Sequence, residues 1–521
     1  MLKSANKKGP VVLIPSDISY VFPSGYGYLA GYLIEHGENV KILVRPKNPA
    51  DFKNLVKQII DLKPLLVGLG SLYHDLYPIK EIIPLLNQAG RDFPVVLGGQ
   101  MVSPTPEFAV EITGADIGVI GEGEIILYKL VQALRQDADL FKTGGLVLNH
   151  DGRQTLTGPG EIIENLSKLP KIPYDLFPST EWLNVGRMYL SMPQPHNQFA
   201  DRTVTVHGGR GCPFRCNFCY HHSRARYRPV GDMMTDAEML IKKYNANHLF
   251  FDDDLAIVSP ARAKEFMDGV KKLSRKIEYS MSIRMDVLSR IDDSLLKEMK
   301  ISGCRCLGPG IESGSQRILD VMDKKITVEQ IITGFRRLKN AGILATASLM
   351  VGQVSERPED VQMSIDLMEK TLRYDKNINY AFTICTPFPG SLLYDLCFTK
   401  GIFKNHYDFF NKYDTKKGFT EITANLTEMS DEELLNWYKK IKLAYKLEKR
   451  KSIGPTVFKI ETLITRADRL DKRLKQKFFE KLPNNLFGKL IKQTYNFCYD
   501  LMQLSFDKIR LYLLGIKKYK I

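Results

Sequence analysis

Gly208-Gly-Arg-Gly-Cys212-Pro-Phe-Arg-Cys216-Asn-Phe-Cys219-Tyr220 sets three cysteines at spacings of three and two intervening residues. Glycines lead in, Pro213 follows the first cysteine and Phe218 precedes the last. Glycine-rich backbone turns tightly at no steric cost, so the loop can bring three thiols toward one point. Soft thiolates select iron–sulfur clusters, zinc or copper over hard cations. A closed structural zinc site needs a fourth ligand, ordinarily from a second short-spaced pair. No such pair follows, because Cys304 and Cys306 are separated by one residue. A four-iron cluster on three cysteines leaves one iron without a protein ligand, and a catalytic metal site requires such an open position.

Thr203-Val-Thr-Val-His207 reads as the strand that delivers this loop. Strand–helix repeats follow to about residue 420, the pattern of a partial (β/α)6 barrel with functional side chains at the carboxyl ends of its strands. One strand ends in Asp252-Asp253-Asp254, a second in Arg284, and a third in Gly310-Ile-Glu312-Ser313-Gly314. The acids could instead cap a helix, the lesser reading, and Arg284 could form an ordinary salt bridge. Two further runs end in Val351-Gly352-Gln353 and Thr386-Pro-Phe-Pro-Gly390.

Before residue 143, short apolar runs alternate with helical patterns: Val11–Ile14, Val40–Val44, Leu65–Leu69, Val95–Leu97 and Ile117–Ile120. Such alternation predicts a doubly wound parallel sheet, whose ligands bind beyond the carboxyl ends of the strands. Those ends carry Ser16, Gly98-Gly99 and Gly121-Glu122-Gly123. Residues 144–201 read as a connector, with a hairpin turning at Asp151-Gly152. The predicted class is thus α/β: a Rossmann-like domain (1–143), a linker (144–201), a partial barrel (202–420) and a basic helical region (421–521).

The CxxxCxxC loop resembles the signature of the radical S-adenosylmethionine (radical SAM) superfamily. The N-terminal strand ends, with Gly25-Tyr-Gly-Tyr-Leu-Ala-Gly-Tyr-Leu33, resemble the cobalamin-binding domain that precedes many radical SAM cores. The resemblance implies a 4Fe-4S cluster on Cys212, Cys216 and Cys219, and S-adenosylmethionine contacts from Phe218, Asp253, Arg284, Glu312, Ser313 and Gly352. Asp252 or Asp254 could replace Asp253. It implies cobalamin contacts from Ser16, Gly98, Gly99, Gly121, Glu122 and Gly123. Ser16-Asp-Ile-Ser-Tyr20 lacks the His that ligates cobalt in other cobalamin domains, so base-off cobalamin without a His ligand is expected. His74, after the third strand, could approach the lower cobalt face but reads rather as a surface residue. The expected activity is methylation of an unactivated carbon, with radical cyclisation of the magnesium-protoporphyrin ester cyclase type as the alternative. A non-catalytic cobalamin-binding regulator is the reading from another class, and the intact cysteine set argues against it.

The length of 521 residues fits two or three domains, and 44% hydrophobic with 26% charged residues is ordinary for a globular chain. No apolar run reaches bilayer length, no signal-peptide core is expected, and eight cysteines do not read as a secreted disulfide framework. A reducing, cytoplasmic setting is expected. The net charge of +15 is concentrated from Lys446 onward, where 19 Lys and Arg face 7 Asp and Glu. A basic tail suits an anionic surface such as a membrane, or packs as a solvated helical face. Expected partners are a small-molecule or lipid-like substrate and a reducing donor such as flavodoxin or ferredoxin, with no nucleic acid. Arg224, Arg226 and Arg228 are expected to face an anionic ligand or solvent, and the adjacent His221-His222 make a poor zinc pair.

Overall fold

The computed structural model describes residues 4–16, 22–150, 152–178, 183, 202–220, 223–413 and 418–454. The tail stretch 496–518, His221-His222 and the Asp17–Tyr20 part of the first loop therefore lie outside the described residues.

The N-terminal sheet has seven strands in the order β2-β1-β3-β4-β5-β6-β7. They are β1 Val11–Ile14, β2 Val40–Ile42, β3 Leu66–Ser71, β4 Val95–Gly99, β5 Ile117–Val119, β6 Leu146–His150 and β7 Arg153–Leu156. The first five are parallel. Every β1 side chain is at most 1% exposed, as a parallel strand covered on both faces requires. Val11 and Leu13 join one hydrophobic core while Val12 and Ile14 join the other, so β1 feeds both faces. The order places the topological switch beside β1, where Ser16 and the Leu72–Asp75 turn emerge. The predicted connector hairpin is instead part of this sheet. β6 and β7 extend it antiparallel from β5, burying Leu146, Val147 and Leu148.

The second sheet has six strands, all parallel and in chain order from β15 to β8 apart from a two-stranded hairpin. Its strands are β8 Thr203–Val206, β11 His248–Phe251, β12 Glu278–Ile283, β13 Cys304–Glu312, β14 Leu344–Val351 and β15 Asn379–Ile384. β9 Gly209–Arg210 and β10 Arg226–Tyr227 form the hairpin, which brackets the cysteine loop. Among the described residues no β8–β15 pairing closes the sheet, so the barrel is partial, as the repeats predict. On β14, Ala345, Ala347, Leu349 and Val351 are buried while Thr346, Ser348 and Met350 are half-buried, which separates the helix-covered face from the lumen. Cys304 and Cys306 are buried in the barrel wall, as expected.

The predicted helix start at Ser430 is a capping box with Glu433, and the helix runs Asp431–Ile453. It packs on the helix Pro358–Tyr374 and on β15. Leu434 and Ile441 are fully buried, and the Tyr438 hydroxyl donates to the Phe382 carbonyl at 3.3 Å. The start of the basic region is thus part of the barrel's covering. No helix among the described residues is long and apolar enough to cross a membrane.

Candidate active site

β8 ends at the barrel mouth, and the chain turns there through Gly208 and Gly209. Both amides donate to the Asp253 carboxylate, at 2.8 and 3.1 Å, so the end of β11 holds the start of the cysteine loop. Gly211 has φ +70°, and a Cβ there would strike the Ser223 carbonyl at 2.5 Å. The far side of the loop is fixed by Asn217, whose amide and side chain donate to the carbonyls of Met322 and Val321 at 3.0 and 2.9 Å. Cys216 is buried, Cys212 half-buried and Cys219 exposed, and all three are free thiols.

Desolvation by the protein packed around the loop, reinforced by the Asp254 carboxylate, raises the Cys219 thiol even though this residue reaches solvent, and desolvation also raises half-buried Cys212. Thiolate is therefore costly here without a positive partner, and bound iron supplies that charge. Among the described residues no three His, Cys, Asp or Glu side chains converge on a single-ion site. A cubane asks less convergence of its ligands, since each thiolate binds a different iron. The donor set of three thiols on one anchored loop fits the cluster.

The residues expected to hold S-adenosylmethionine fall into two groups. Phe218 lies within the loop, Arg284 packs on it, and Glu312 reaches it through Lys324. Arg284 stacks over Phe214 at 3.4 Å and donates to Asp286 and to the Lys324 carbonyl. Glu312 closes β13 with φ +61°, a strained conformation for a residue with a side chain. Its carboxylate accepts from the Lys324 ammonium at 2.8 Å and from the Ser348 hydroxyl at 2.9 Å. Lys324 also lies 5.6 Å over the Phe218 ring, and no sequence spacing announced it.

The second group is committed to structure. The Asp253 carboxylate is occupied by the loop amides, whereas Asp254 is exposed and acts electrostatically on Cys212 and Cys219. Of the three acids, Asp254 is the most exposed and acts on the thiols, while Asp252 is half-buried. Ser313 is fully enclosed, with its hydroxyl on the Ser315 amide and Ser364. The Gly352 amide donates to Glu356 at 2.5 Å, and burial pushes that carboxyl up to about 8 from an ordinary 4.5.

The unfolded chain loses the Glu356 proton first as pH rises, while the folded chain keeps it, so this group makes stability fall between about pH 4.5 and about pH 8. Glu356→Gln should flatten that slope. Urea midpoints at roughly pH 5 and roughly pH 8 for both proteins measure it, and an undiminished slope in the variant would refute the assignment.

Across the seam lie the carboxyl ends of β1, β3, β4 and β5. A Cβ at Gly98 or Gly121 would meet no atom within 4 Å, whereas one at Gly70 would strike the Gly98 carbonyl at 2.2 Å. Glycines thus keep open space above the sheet, with Gly99 at φ +85° and half-buried Ser16 at its edge. This open cradle fits a large planar ligand such as cobalamin. Two expected members do not line it. A Cβ at Gly123 would meet Leu29 at 2.9 Å, so Gly123 serves close helix packing. Glu122 is turned away into an ion pair with Arg210 at 2.6 Å and another with Arg226. His74 is 46% exposed beside Asp75. The arginines expected to face a ligand or solvent are paired with acids: Arg226 with Glu122 and Arg228 with Asp236 are buried, while Arg224 with Glu164 lies in solvent.

Comparison with known proteins agrees with this layout. Residues 13–131 match the B12 binding domain and residues 206–368 match the Radical SAM superfamily. An uncharacterized methyltransferase of Pyrococcus horikoshii is 29% identical over 379 residues, covering 72% of this chain and 78% of that protein. The anaerobic magnesium-protoporphyrin IX monomethyl ester cyclase of Rubrivivax gelatinosus is 25% identical, covering 71% of this chain and 65% of the cyclase. Among solved structures, the cobalamin-dependent S-adenosylmethionine radical enzyme OxsB superposes with a TM-score of 0.63 at 15% identity, covering 98% of this chain and 78% of that one. The radical S-adenosylmethionine methyltransferase TsrM from Kitasatospora setae gives 0.59 at 19% identity, covering 73% and 74%. These two similarities concern the fold. The cysteine loop on its parallel barrel and the glycine cradle on the sheet before it make this chain a radical SAM enzyme with a B12-binding domain ahead of its barrel.

Proposed function

We propose that this enzyme methylates an unactivated carbon of a small-molecule or lipid-like substrate. The observation that carries the reading is the placement of the glycine cradle across one seam from the cysteine loop. When bound, the cluster with S-adenosylmethionine supplies a 5′-deoxyadenosyl radical, and cobalamin supplies a transferable methyl group. The protein's own part is to bind, orient and exclude water.

Cys212, Cys216 and Cys219 hold the cluster, and Asp253 fixes the backbone from which they project. Arg284, Glu312 and Asp254 present charge of both signs at the barrel mouth, which suits an amino-acid zwitterion. Gly98, Gly99, Gly121 and Ser16 form the cobalamin floor. The half-buried Ser348, Met350 and Thr346 of β14 line the lumen in which a substrate carbon would sit. The exposed Cys219 side faces a reducing donor such as flavodoxin or ferredoxin, in a reducing, cytoplasmic setting.

The similarity to the cyclase keeps radical ring formation as the second reading. Incubation of the reconstituted enzyme with cell extract and methyl-labelled S-adenosylmethionine distinguishes the two. Label in a product carbon is the expected outcome. Formation of 5′-deoxyadenosine with an altered but unlabelled product would favour cyclisation.

A further inference from the structure

Four buried charges from the two domains meet at the base of the cysteine loop. Glu122 and Glu124 come from the end of the N-terminal sheet, and Arg210 and Arg226 from the hairpin that brackets the loop. Glu122 accepts from Arg210 at 2.6 Å and also from Arg226, while Glu124 accepts from Arg210 at 2.5 Å. Both carboxylates are only 5% exposed, and the guanidiniums 15% and 8%.

We propose that Glu122 is a positioning residue that couples the cradle to the cysteine loop, so that filling either site tightens the other. The inference rests on the reading that the loop carries the cluster and the cradle carries cobalamin. Glu122 directly follows Gly121, which forms the cradle floor, and Arg210 is followed by Gly211 and Cys212. One ion pair therefore joins the cradle backbone to the first cluster ligand. The Gly121 amide is itself fixed by the Ser103 hydroxyl at 2.9 Å, and Arg210 is opposite Arg226 in the hairpin register.

Neither end can move alone. A shift of Arg210 away from the sheet would leave two buried carboxylates short of charge, and a shift of Glu122 would leave two guanidiniums short. The forked geometry also matters. Arg226 reaches Glu122 with one nitrogen and the Ile163 carbonyl with the other, which a lysine ammonium cannot reproduce. Coupling between two binding sites is reciprocal, and ordinarily amounts to roughly 5–150-fold in affinity.

The test measures hydroxocobalamin affinity for the full chain by visible spectroscopy in four proteins. Wild type and Glu122→Gln are each compared, iron-loaded, with the same chain in which Cys212, Cys216 and Cys219 are replaced by alanine. Iron content is measured in each. Iron should tighten cobalamin binding about tenfold in the wild-type background. In Glu122→Gln the ratio should fall to near one. A role confined to stability would lower the melting temperature of both Glu122→Gln proteins and leave the ratio intact, and an intact ratio overturns the proposal. Equal affinity with and without iron in the wild-type background overturns it as well. If Glu122→Gln does not yield folded protein, Arg226→Lys is read by the same ratio with the same criteria. Absence of cobalamin binding in any wild-type sample would instead sink the functional reading on which the coupling rests.

Discussion

Replacing Cys212, Cys216 and Cys219 together by alanine should abolish iron binding and 5′-deoxyadenosine formation while leaving the fold in place. The thiols are the ligands through which the protein grips a cluster, so their loss removes it outright. The loop does not depend on them for its path. Asp253 binds the Gly208 and Gly209 amides, the hairpin pairs Arg210 with Arg226, and Asn217 is tied to Met322 and Val321. Anaerobic reconstitution of wild type should give about four irons per chain and broad visible absorption, and the variant should give neither. Retention of the same iron by the variant would show that other side chains hold it.

The second large effect should come from Lys324→Met. Lys324 and Glu312 are 10% and 7% exposed and face each other at 2.8 Å. Removing the ammonium leaves a carboxylate buried beside the barrel mouth, on a residue whose backbone is already strained at φ +61°. Breaking a buried pair from one side costs about 3–5 kcal/mol, more than most single substitutions. Gly310 offers no relief, since even a Cβ there would approach Glu312 Oε1 to 2.4 Å and Lys324 Nζ to 3.1 Å. Urea unfolding should show the loss, and adding Glu312→Gln should restore most of it. A single variant as stable as wild type would show that the pair is open to solvent.

Where the signal was local, the sequence disclosed much of this. Apolar runs such as Val11–Ile14 reveal a strand covered on both faces, and the Ser430–Glu433 capping box marks a helix start within one residue. The cysteine loop is legible because its chemistry is fixed by spacing. Side-chain commitments made across long separations are not legible. Glu122 looked like a cradle residue because it sits between two glycines, but its partners lie 88 and 104 residues away in another domain. Ser313 belongs to the Glu-Ser-Gly strand end, yet Ser364, 51 residues on, claims its hydroxyl. Lys324 has no motif at all, and only the folding of the Gln316–Val321 helix back over the loop brings it to Phe218. The Asp151-Gly152 turn shows that the hairpin β6–β7 exists without showing which sheet it joins, so the sequence alone reads it as a connector.

The helix Asp431–Ile453 changes where the cooperative folding unit ends. Lys449 reaches back to the carbonyls of Lys376 and Ile378 at 2.6 and 2.9 Å, capping backbone that leads into the last barrel strand. Tyr445 lies 5.3 Å from Phe382 on that strand. The exposed rim of an open barrel is a natural template for pairing with another chain, and this helix shields it. The catalytic half of the molecule is thus a unit that extends at least through the helix ending at Ile453. Dissecting the basic tail from the enzyme means cutting after that point, because an earlier cut would strip the guard from an unpaired strand edge and confuse aggregation with loss of a binding surface.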